Sequence, residues 1–169
     1  HIIQLLMNDN TIKMKLIYPK WKKLPGQTTF NLPPHGPIAF AACLPEYVDV
    51  SFCDENVEEL DFNEECDIVA ISSMLSTQIK RAWQIADEYH RRGKQVIGGG
   101  ISCMLHAEEC MEHYDAVFLG EAEGRMEQVL DDWRNGQLKK VYNYMGQQPP
   151  IESVGPGRRD LYKRDLYNH

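Results

Sequence analysis

The chain has 169 residues, a length that predicts a single domain with room for a sheet covered on both faces. Hydrophobic residues make up 43% of the sequence and charged residues 25%, as in soluble globular proteins. The formal net charge of -7 argues against a nucleic-acid partner, which needs a basic surface, and no apolar run approaches the roughly 20 residues of a membrane span.

The cysteines indicate a reducing compartment. Their number is odd and their spacing irregular, and no C-x-x-C pair that would indicate a zinc or redox motif occurs among Cys43, Cys53, Cys66, Cys103 and Cys110. Several stand beside apolar segments, where a cysteine acts as a small hydrophobic residue. We therefore expect reduced thiols and a cytoplasmic protein.

The first part of the chain combines one strand, a long loop and a buried helix. Residues 1–13 are interpreted as a leader or disordered segment, because their apolar stretch lacks the charged flank of a signal peptide. A first strand is predicted over Lys15–Pro19, and a helix over Ile38–Leu44 with Pro37 in its first turn. The loop between them, residues 20–36, is long for a connection of this kind, and such loops are usually functional or disordered.

Strands then alternate with helical patterns as far as residue 136. Four further strands are predicted over Tyr47–Cys53, Asp67–Ser73, Lys94–Gly98 and Asp115–Leu119, with helices from Ser76 or Thr77 to about Arg92, over Ala107–Glu112, and from Gly124 to about Arg134. This alternation predicts a parallel α/β sheet, and the flavodoxin-like strand order 2-1-3-4-5 is the natural choice for five strands. Residues 14–136 would form this domain.

The remaining residues, 137–169, have another character. They contain Pro149-Pro150, Gly155-Pro156-Gly157 and basic pairs, without a hydrophobic period. We interpret them as a linker towards a further domain.

Three strand ends carry small or polar residues. They are Ser72-Ser73-Met74, Gly98-Gly99-Gly100 and Gly120-Glu121-Ala122-Glu123-Gly124. Each could be no more than a turn or a favourable helix start. Because parallel strands end at the same edge of a sheet, their coincidence favours a ligand site at which a large molecule approaches the backbone closely.

Several kinds of chemistry lack their motifs. The sequence has no G-x-S-x-G nucleophile turn, no phosphate-binding G-x-x-x-x-G-K-[ST] and no G-x-G-x-x-G. The histidines form no metal-binding pattern, and His35, which lies in the long first loop, is the one of most interest. Flavin binding is disfavoured because the first loop lacks a phosphate cradle, and a phosphoacceptor role because no acidic pair follows the first strand.

Together these segments resemble the N-terminal cobalamin-binding domain of cobalamin-dependent radical S-adenosylmethionine enzymes. That group includes the anaerobic magnesium-protoporphyrin monomethyl ester oxidative cyclases and several methyltransferases. The resemblance covers roughly residues 14–167, and its motifs are Asp54-Glu55-Asn56, Asp67-Ile-Val-Ala-Ile-Ser72, Arg92-Gly-Lys-Gln-Val-Ile-Gly98-Gly99-Gly100, His106-Ala-Glu-Glu109 and Asp115-Ala-Val-Phe-Leu-Gly120-Glu121-Ala122-Glu123, with Gly136-Gln-Leu-Lys139 and Arg159-Asp-Leu161 downstream.

The resemblance implies a cobalamin site with its dimethylbenzimidazole tail displaced from cobalt and buried along strands 3 to 5. The resemblance also implies that no protein histidine binds the cobalt. The D-x-H-x-x-G motif that supplies such a histidine is absent, and the first loop reads Tyr18-Pro19-Lys20-Trp21 instead. By position, the residues that would contact the cofactor are Ser72, Ser73 and Met74 at the corrin face or tail, Gly98, Gly99, Gly100 and Ile101 along the tail, Gly120, Glu121 and Ala122 beside it, and Gly36 at the corrin edge.

The resemblance also implies a partner domain. Such enzymes carry a C-x-x-x-C-x-x-C motif for an iron-sulfur cluster, which is absent here. The cluster and S-adenosylmethionine would therefore belong to a missing C-terminal catalytic domain, and this fragment alone would not be an enzyme. The alternative is a non-catalytic docking domain without cobalamin. A strand edge filled by the protein's own side chains would favour that alternative, whereas an open cleft lined by glycine and serine would favour cofactor binding.

Overall fold

The computed structural model describes residues 10–26, 32–148 and 158–167. Within these ranges a single parallel sheet of six strands is formed by β1 Ile12–Tyr18, β2 Val48–Asp54, β3 Ile68–Ser72, β4 Val96–Gly99, β5 Ala116–Leu119 and β6 Val141–Asn143. The helices are α1 His35–Ala42, α2 Ile79–Arg91, α3 Ile101–Leu105, α4 Ala107–His113 and α5 Met126–Arg134.

The strand order is β2-β1-β3-β4-β5-β6. The flavodoxin-like α/β architecture predicted from the sequence is therefore confirmed, and the predicted strand count is corrected from five to six. The sixth strand, β6, pairs Val141 with Val117 and Tyr142 with Phe118. It is only three residues long, so the sequence shows too little alternation there to indicate a strand.

Two predicted boundaries also move. β1 begins at Ile12, inside the predicted leader, because Ile12 is buried at 2% exposure and its N–H bonds the carbonyl of Tyr47. The predicted linker contains β6, and Tyr167 within it is 6% exposed. Residues 1–9 of the leader and 149–157 of the linker lie outside the described residues, and a following domain stays a prediction.

The central strand β3 is buried at every position because helices cover both faces of the sheet. One face carries α1 and α5 over a core that includes Leu16, Ala70 and Phe118. The opposite face carries α2, α3 and α4, and α2 buries Ile79, Ala82, Ile85, Ala86 and Tyr89 at helical spacing. In the described part of the chain, no helix is long and apolar enough to cross a membrane.

The strand order reverses beside β1, whose neighbours are β2 on one side and β3 on the other. In open α/β sheets the connections diverge at this position and leave a crevice outside the carboxyl ends of the strands. In this chain the crevice opens on the face of the sheet that carries α1 and α5.

Candidate functional site

A cleft of about 350 Å³ lies at this switch point. Its floor is the sheet, one wall is α1, and the other is the loop from β5 to α5. Cavities of this size accept small ligands or a part of a larger one.

The floor of the cleft follows from the register of the strands. Leu16 of β1 stands opposite Ala70 of β3, and Ala70 stands opposite Ile97 of β4. These side chains point to the same face, and Ala70 is the smallest of the three. Gly99 further along β4 has no side chain, so the floor is depressed between larger neighbours such as Phe118.

The α1 wall is a helical stripe. Gly36, Ala39, Phe40 and Cys43 line the cleft at spacings of three and four residues, which place them on one side of the helix. Gly36 keeps this wall close to the end of β3, since a Cβ added there would lie 3.6 Å from Sδ of Met74. The wall is therefore mostly apolar and approaches the strand ends closely.

The cleft brings together most of the residues that the sequence singled out. Lining it are Gly36, Ser72, Met74, Gly99, Gly100, Ile101, Gly120, Glu121 and Ala122. Met74 and Ile101 stand at its mouth with 37% and 49% of their surface exposed. Large apolar side chains at such exposure form a surface against which a ligand ring can pack.

Two of the proposed residues do not line the cleft. Gly98 faces the opposite side of the sheet, where an added Cβ would lie 2.0 Å from Cε2 of Tyr114. Alternation along β4 is the cause, because neighbouring residues of a strand face opposite sides. Ser73 is fully buried and its hydroxyl pairs with that of Ser102.

Ser73 nevertheless shapes the site through its backbone. Its carbonyl accepts hydrogen bonds from the N–H and the hydroxyl of Ser102, at 3.2 and 2.9 Å. This joins the end of β3 to the start of α3. Gly100 lies between them with φ of 99°, and a Cβ there would meet the Ser73 carbonyl oxygen at 2.3 Å. Glycine is therefore required at position 100 for this close approach.

Two carboxylates stand at the far wall of the cleft. Glu121 and Glu123 both line it, and burial together with the neighbouring Glu121 carboxyl group raises the pKa of Glu123. Oε2 of Glu123 is buried and has no hydrogen-bond partner among the described residues. Across the cleft, burial and the charges of Glu123 and Glu121 raise the pKa of the Cys43 thiol to about 11, so Cys43 stays a neutral thiol.

Arg125 fixes the carboxylate-bearing loop. Its guanidinium donates to the carbonyls of Glu121, Gln147 and Gln148 at 3.2–3.4 Å and lies 4.3 Å from the ring centre of Tyr144. The positive charge of Arg125 therefore interacts with backbone carbonyls and an aromatic ring. The wall that carries Glu121 and Glu123 is therefore acidic, so hydroxyl donors of a ligand are favoured at this wall and a phosphate elsewhere in the site.

The interior of the cleft was not predicted from the sequence. The unpredicted lining residues are Leu16, Ala39, Phe40, Cys43, Ala70, Ile71, Ile97, Phe118 and Glu123. A signal was available for some of them, because residues two before a strand-end residue share its face, as Ala70 does with Ser72 and Ile97 with Gly99. The helical spacing of three and four residues also indicates that Ala39, Phe40 and Cys43 share a side of α1 with Gly36.

The cleft fits a flat apolar ring that is attached to hydroxyl groups. Its floor is apolar, its glycines leave space at the backbone, and the free Glu123 oxygen offers an acceptor. Of the histidines that the structure describes, none lines the cleft, although His35 directly precedes Gly36. The described residues contain no cluster of histidine, cysteine or carboxylate ligands that could hold a metal ion.

Comparison with known proteins agrees with these features. Over 111 residues the chain is 34% identical to bacteriochlorophyllide d C-8(2)-methyltransferase of Chlorobaculum tepidum. The matched residues are 66% of this chain and 23% of that methyltransferase. Over 122 residues the chain is 32% identical to bacteriochlorophyllide d C-12(1)-methyltransferase of the same organism. The matched residues are 70% of this chain and 26% of that methyltransferase. The chain thus spans about a quarter of the length of these relatives.

No solved structure matches the chain at a significant level. The family described as B12 binding domain matches residues 28–130, a range that includes α1, β2 to β5 and most of α5 and therefore nearly the whole cleft. Because this match covers more than half of the sequence, the chain belongs to the B12-binding domain family, whose cofactor is cobalamin.

Proposed function

We propose that the cleft between α1 and the β5–α5 loop holds the nucleotide tail of cobalamin, with the corrin ring over the carboxyl ends of the strands. The observation that supports this most is the open, glycine-lined cleft on the family's matched residues. The described side chains leave it open, which favours cofactor binding over the alternative of a docking domain without cobalamin.

Each part of the site would have its own role. Gly99 and Ala70 would admit the flat base of the tail to the floor of the cleft, because larger side chains there would occupy its place. Ser72 and Glu123 would exchange hydrogen bonds with polar atoms of the tail. Met74 and Ile101 would pack against the corrin ring at the mouth.

The larger protein would be a cobalamin-dependent radical S-adenosylmethionine methyltransferase. Both named relatives are methyltransferases, which favours methyl transfer over oxidative cyclisation for this chain. Cobalamin, when bound, supplies a cobalt ion that can carry the methyl group. The iron-sulfur cluster and S-adenosylmethionine would be held by a catalytic domain outside this sequence, and a cytoplasmic location would suit its free thiols.

The proposal is tested by filling the cleft. A Cβ at Gly99 would come no closer than 3.5 Å to its neighbours, so Gly99→Leu can fold while its side chain occupies the floor. We expect its dissociation constant for hydroxocobalamin to rise at least tenfold over that of the unmodified chain, a loss of about 1.4 kcal/mol. Titration followed by visible absorption measures this.

The matched control is Gln84→Leu. Gln84 is exposed on α2, on the opposite face of the sheet, so it adds a leucine without touching the cleft. Equal affinities of Gly99→Leu and Gln84→Leu would contradict the proposed position of the tail. An unmodified chain that retains no hydroxocobalamin at high micromolar concentration would contradict cofactor binding itself.

A further inference from the structure

Residues 158–167, called here the strap, pack against the edge of the sheet opposite β6. The hydroxyl of Tyr167 donates a hydrogen bond of 3.0 Å to Oδ2 of Asp54, the last residue of the edge strand β2. Tyr167 is 6% exposed and Asp54 is 3% exposed. A hydrogen bond between two buried polar groups is costly to break, because both lose their partner where water does not replace it.

Further contacts fix the strap. Nζ of Lys163 lies 2.6 and 2.8 Å from the two carboxylate oxygens of Glu58. Leu161 packs against the core cluster that contains Phe52 of β2, and Leu166 borders the same small cavity as Phe52. The contacts come from four different strap residues, so the strap is held along its length.

One strap residue reaches the wall of the cleft. The hydroxyl of Tyr162 donates to the carbonyl of Pro34 at 3.3 Å. Pro34 is the residue before α1, and this helix has no side-chain cap of its own at that end. Gly36, two residues further, lines the cleft. Tyr162 and Tyr167 also meet edge to face, with ring centres 6.3 Å apart.

We propose that Tyr162 and Tyr167 are positioning residues of the cobalamin site. Tyr167 latches the strap to Asp54, and Tyr162 then holds the start of α1 against the carboxyl ends of β1 and β3. Opening of the strap would release this end of α1 and widen the cleft at Gly36. The effect on cobalamin affinity rests on the proposed function, whereas the hold on α1 does not.

The hold on α1 is tested by amide hydrogen exchange of the unliganded chain of 169 residues. Tyr162→Phe and Tyr167→Phe each remove one hydroxyl and keep the ring. Tyr142→Phe is the control at the opposite edge of the sheet, because it also removes one hydroxyl, which donates to Oδ2 of Asp132 at 2.7 Å and accepts the N–H of Lys139 at 3.0 Å. We expect exchange in residues 35–42 to become severalfold faster in the two strap variants than in the control. Equal exchange in all three would overturn the proposal.

The consequence for the site is tested by titration with hydroxocobalamin. Loss of one hydrogen bond worth about 1 kcal/mol predicts a dissociation constant raised roughly fivefold in each strap variant and unchanged in Tyr142→Phe. Bound cobalamin should also slow tryptic cleavage after Lys163 and Arg164, because coupling between two sites is reciprocal. Faster exchange in α1 with unchanged affinity would overturn the coupling to the cleft. Failure of the unmodified chain to bind would overturn the proposed function, while the exchange result would still decide the role of the strap.

Discussion

Two neighbouring glycines at the end of β4 have different roles. Gly99 has ordinary backbone angles and its missing Cβ leaves room in the cleft. Gly100 has φ of 99° and ψ of 176°, a region that only glycine populates readily. The pattern Gly98-Gly99-Gly100 alone does not separate these roles. Which glycine faces the cleft depends on the pleat of β4, and the apolar residues before the glycines do not indicate which face of the strand borders the cleft.

Alanine substitutions should separate the two glycines. Gly100→Ala places a Cβ 2.3 Å from the carbonyl oxygen of Ser73, so we expect the free energy of unfolding to fall by more than about 3 kcal/mol. Gly99→Ala makes ordinary contacts at 3.5 Å and should change stability by less than about 1 kcal/mol. Urea denaturation measures both. An equal loss of stability in the two variants would contradict the close approach of the Ser73 carbonyl to position 100.

A buried lysine gives a prediction that depends on pH. Lys15 on β1 is 5% exposed and forms an ion pair with Glu64, which also accepts a hydrogen bond of 2.6 Å from Ser51. Burial raises the pKa of Glu64. The hydrogen bonds from Lys15 and Ser51 and the positive charge of Lys15 lower it by more, so this pKa lies below its ordinary value. Such a group stabilises the fold above its unfolded pKa, and this contribution is lost as pH falls through the folded pKa.

Glu64→Gln should therefore lower the free energy of unfolding at pH 7 by about 1–3 kcal/mol, because it leaves the charge of Lys15 unpaired. The difference from the unmodified chain should shrink below the ordinary glutamate pKa of about 4.3. The control Glu65→Gln affects a carboxylate that is 85% exposed and 3.8 Å from Lys13, and should cost less than about 0.5 kcal/mol. A difference for Glu64→Gln that does not vary with pH would contradict the ion pair.

Among the elements, the turn after β2 forms hydrogen bonds and an ion pair with several other parts of the chain. Oδ1 of Asn56 accepts a hydrogen bond of 3.3 Å from the N–H of Trp21, and Nδ2 donates to the carbonyl of Pro19 at 3.5 Å. Glu55 accepts the N–H of Lys20 at 3.2 Å and pairs with Arg81 at 2.6 Å. The turn thus ties the beginning of the first loop to β2 and α2.

Asn56→Ala should loosen this loop. We expect a loss of about 1–2 kcal/mol in stability, because two backbone groups lose a partner, and faster amide exchange at residues 20–26. Asn63→Ala is the control, since its side chain bonds Arg92 at the surface, at 2.9 Å, away from the loop. Unchanged exchange at residues 20–26 would contradict a role of Asn56 in holding the loop.

The elements differ in how well the sequence predicts them. The unbroken apolar run at β3 and the helical period of α2 are strong signals, and the structure has a strand and a helix there. Helix α3 spans five residues and β6 three, which is too short for either period to appear. The predicted helix start at Ser76 or Thr77 is instead a 3-10 turn over Ser76–Gln78 that leads into α2.

At the scale of the whole molecule, the strand order followed from the alternation of strands and helices, and it located the cleft. The strap did not follow, because it depends on the contact between Asp54 and Tyr167, which are 113 residues apart. No local period or spacing encodes such a contact. The composition of residues 137–169 therefore indicated a linker, although parts of it pack on both edges of the sheet.

The central claim is that the tail of cobalamin lies in the cleft and that no side chain of this chain replaces it on cobalt. The most direct measurement is electron paramagnetic resonance of the chain loaded with cobalamin and reduced to the cobalt(II) state. We predict a spectrum without splitting by an axial nitrogen, because the dimethylbenzimidazole would lie in the cleft and no histidine among the described residues lines it. Nitrogen splitting in the protein-bound cofactor would mean that the base remains on cobalt or that a histidine binds it, and would contradict the account.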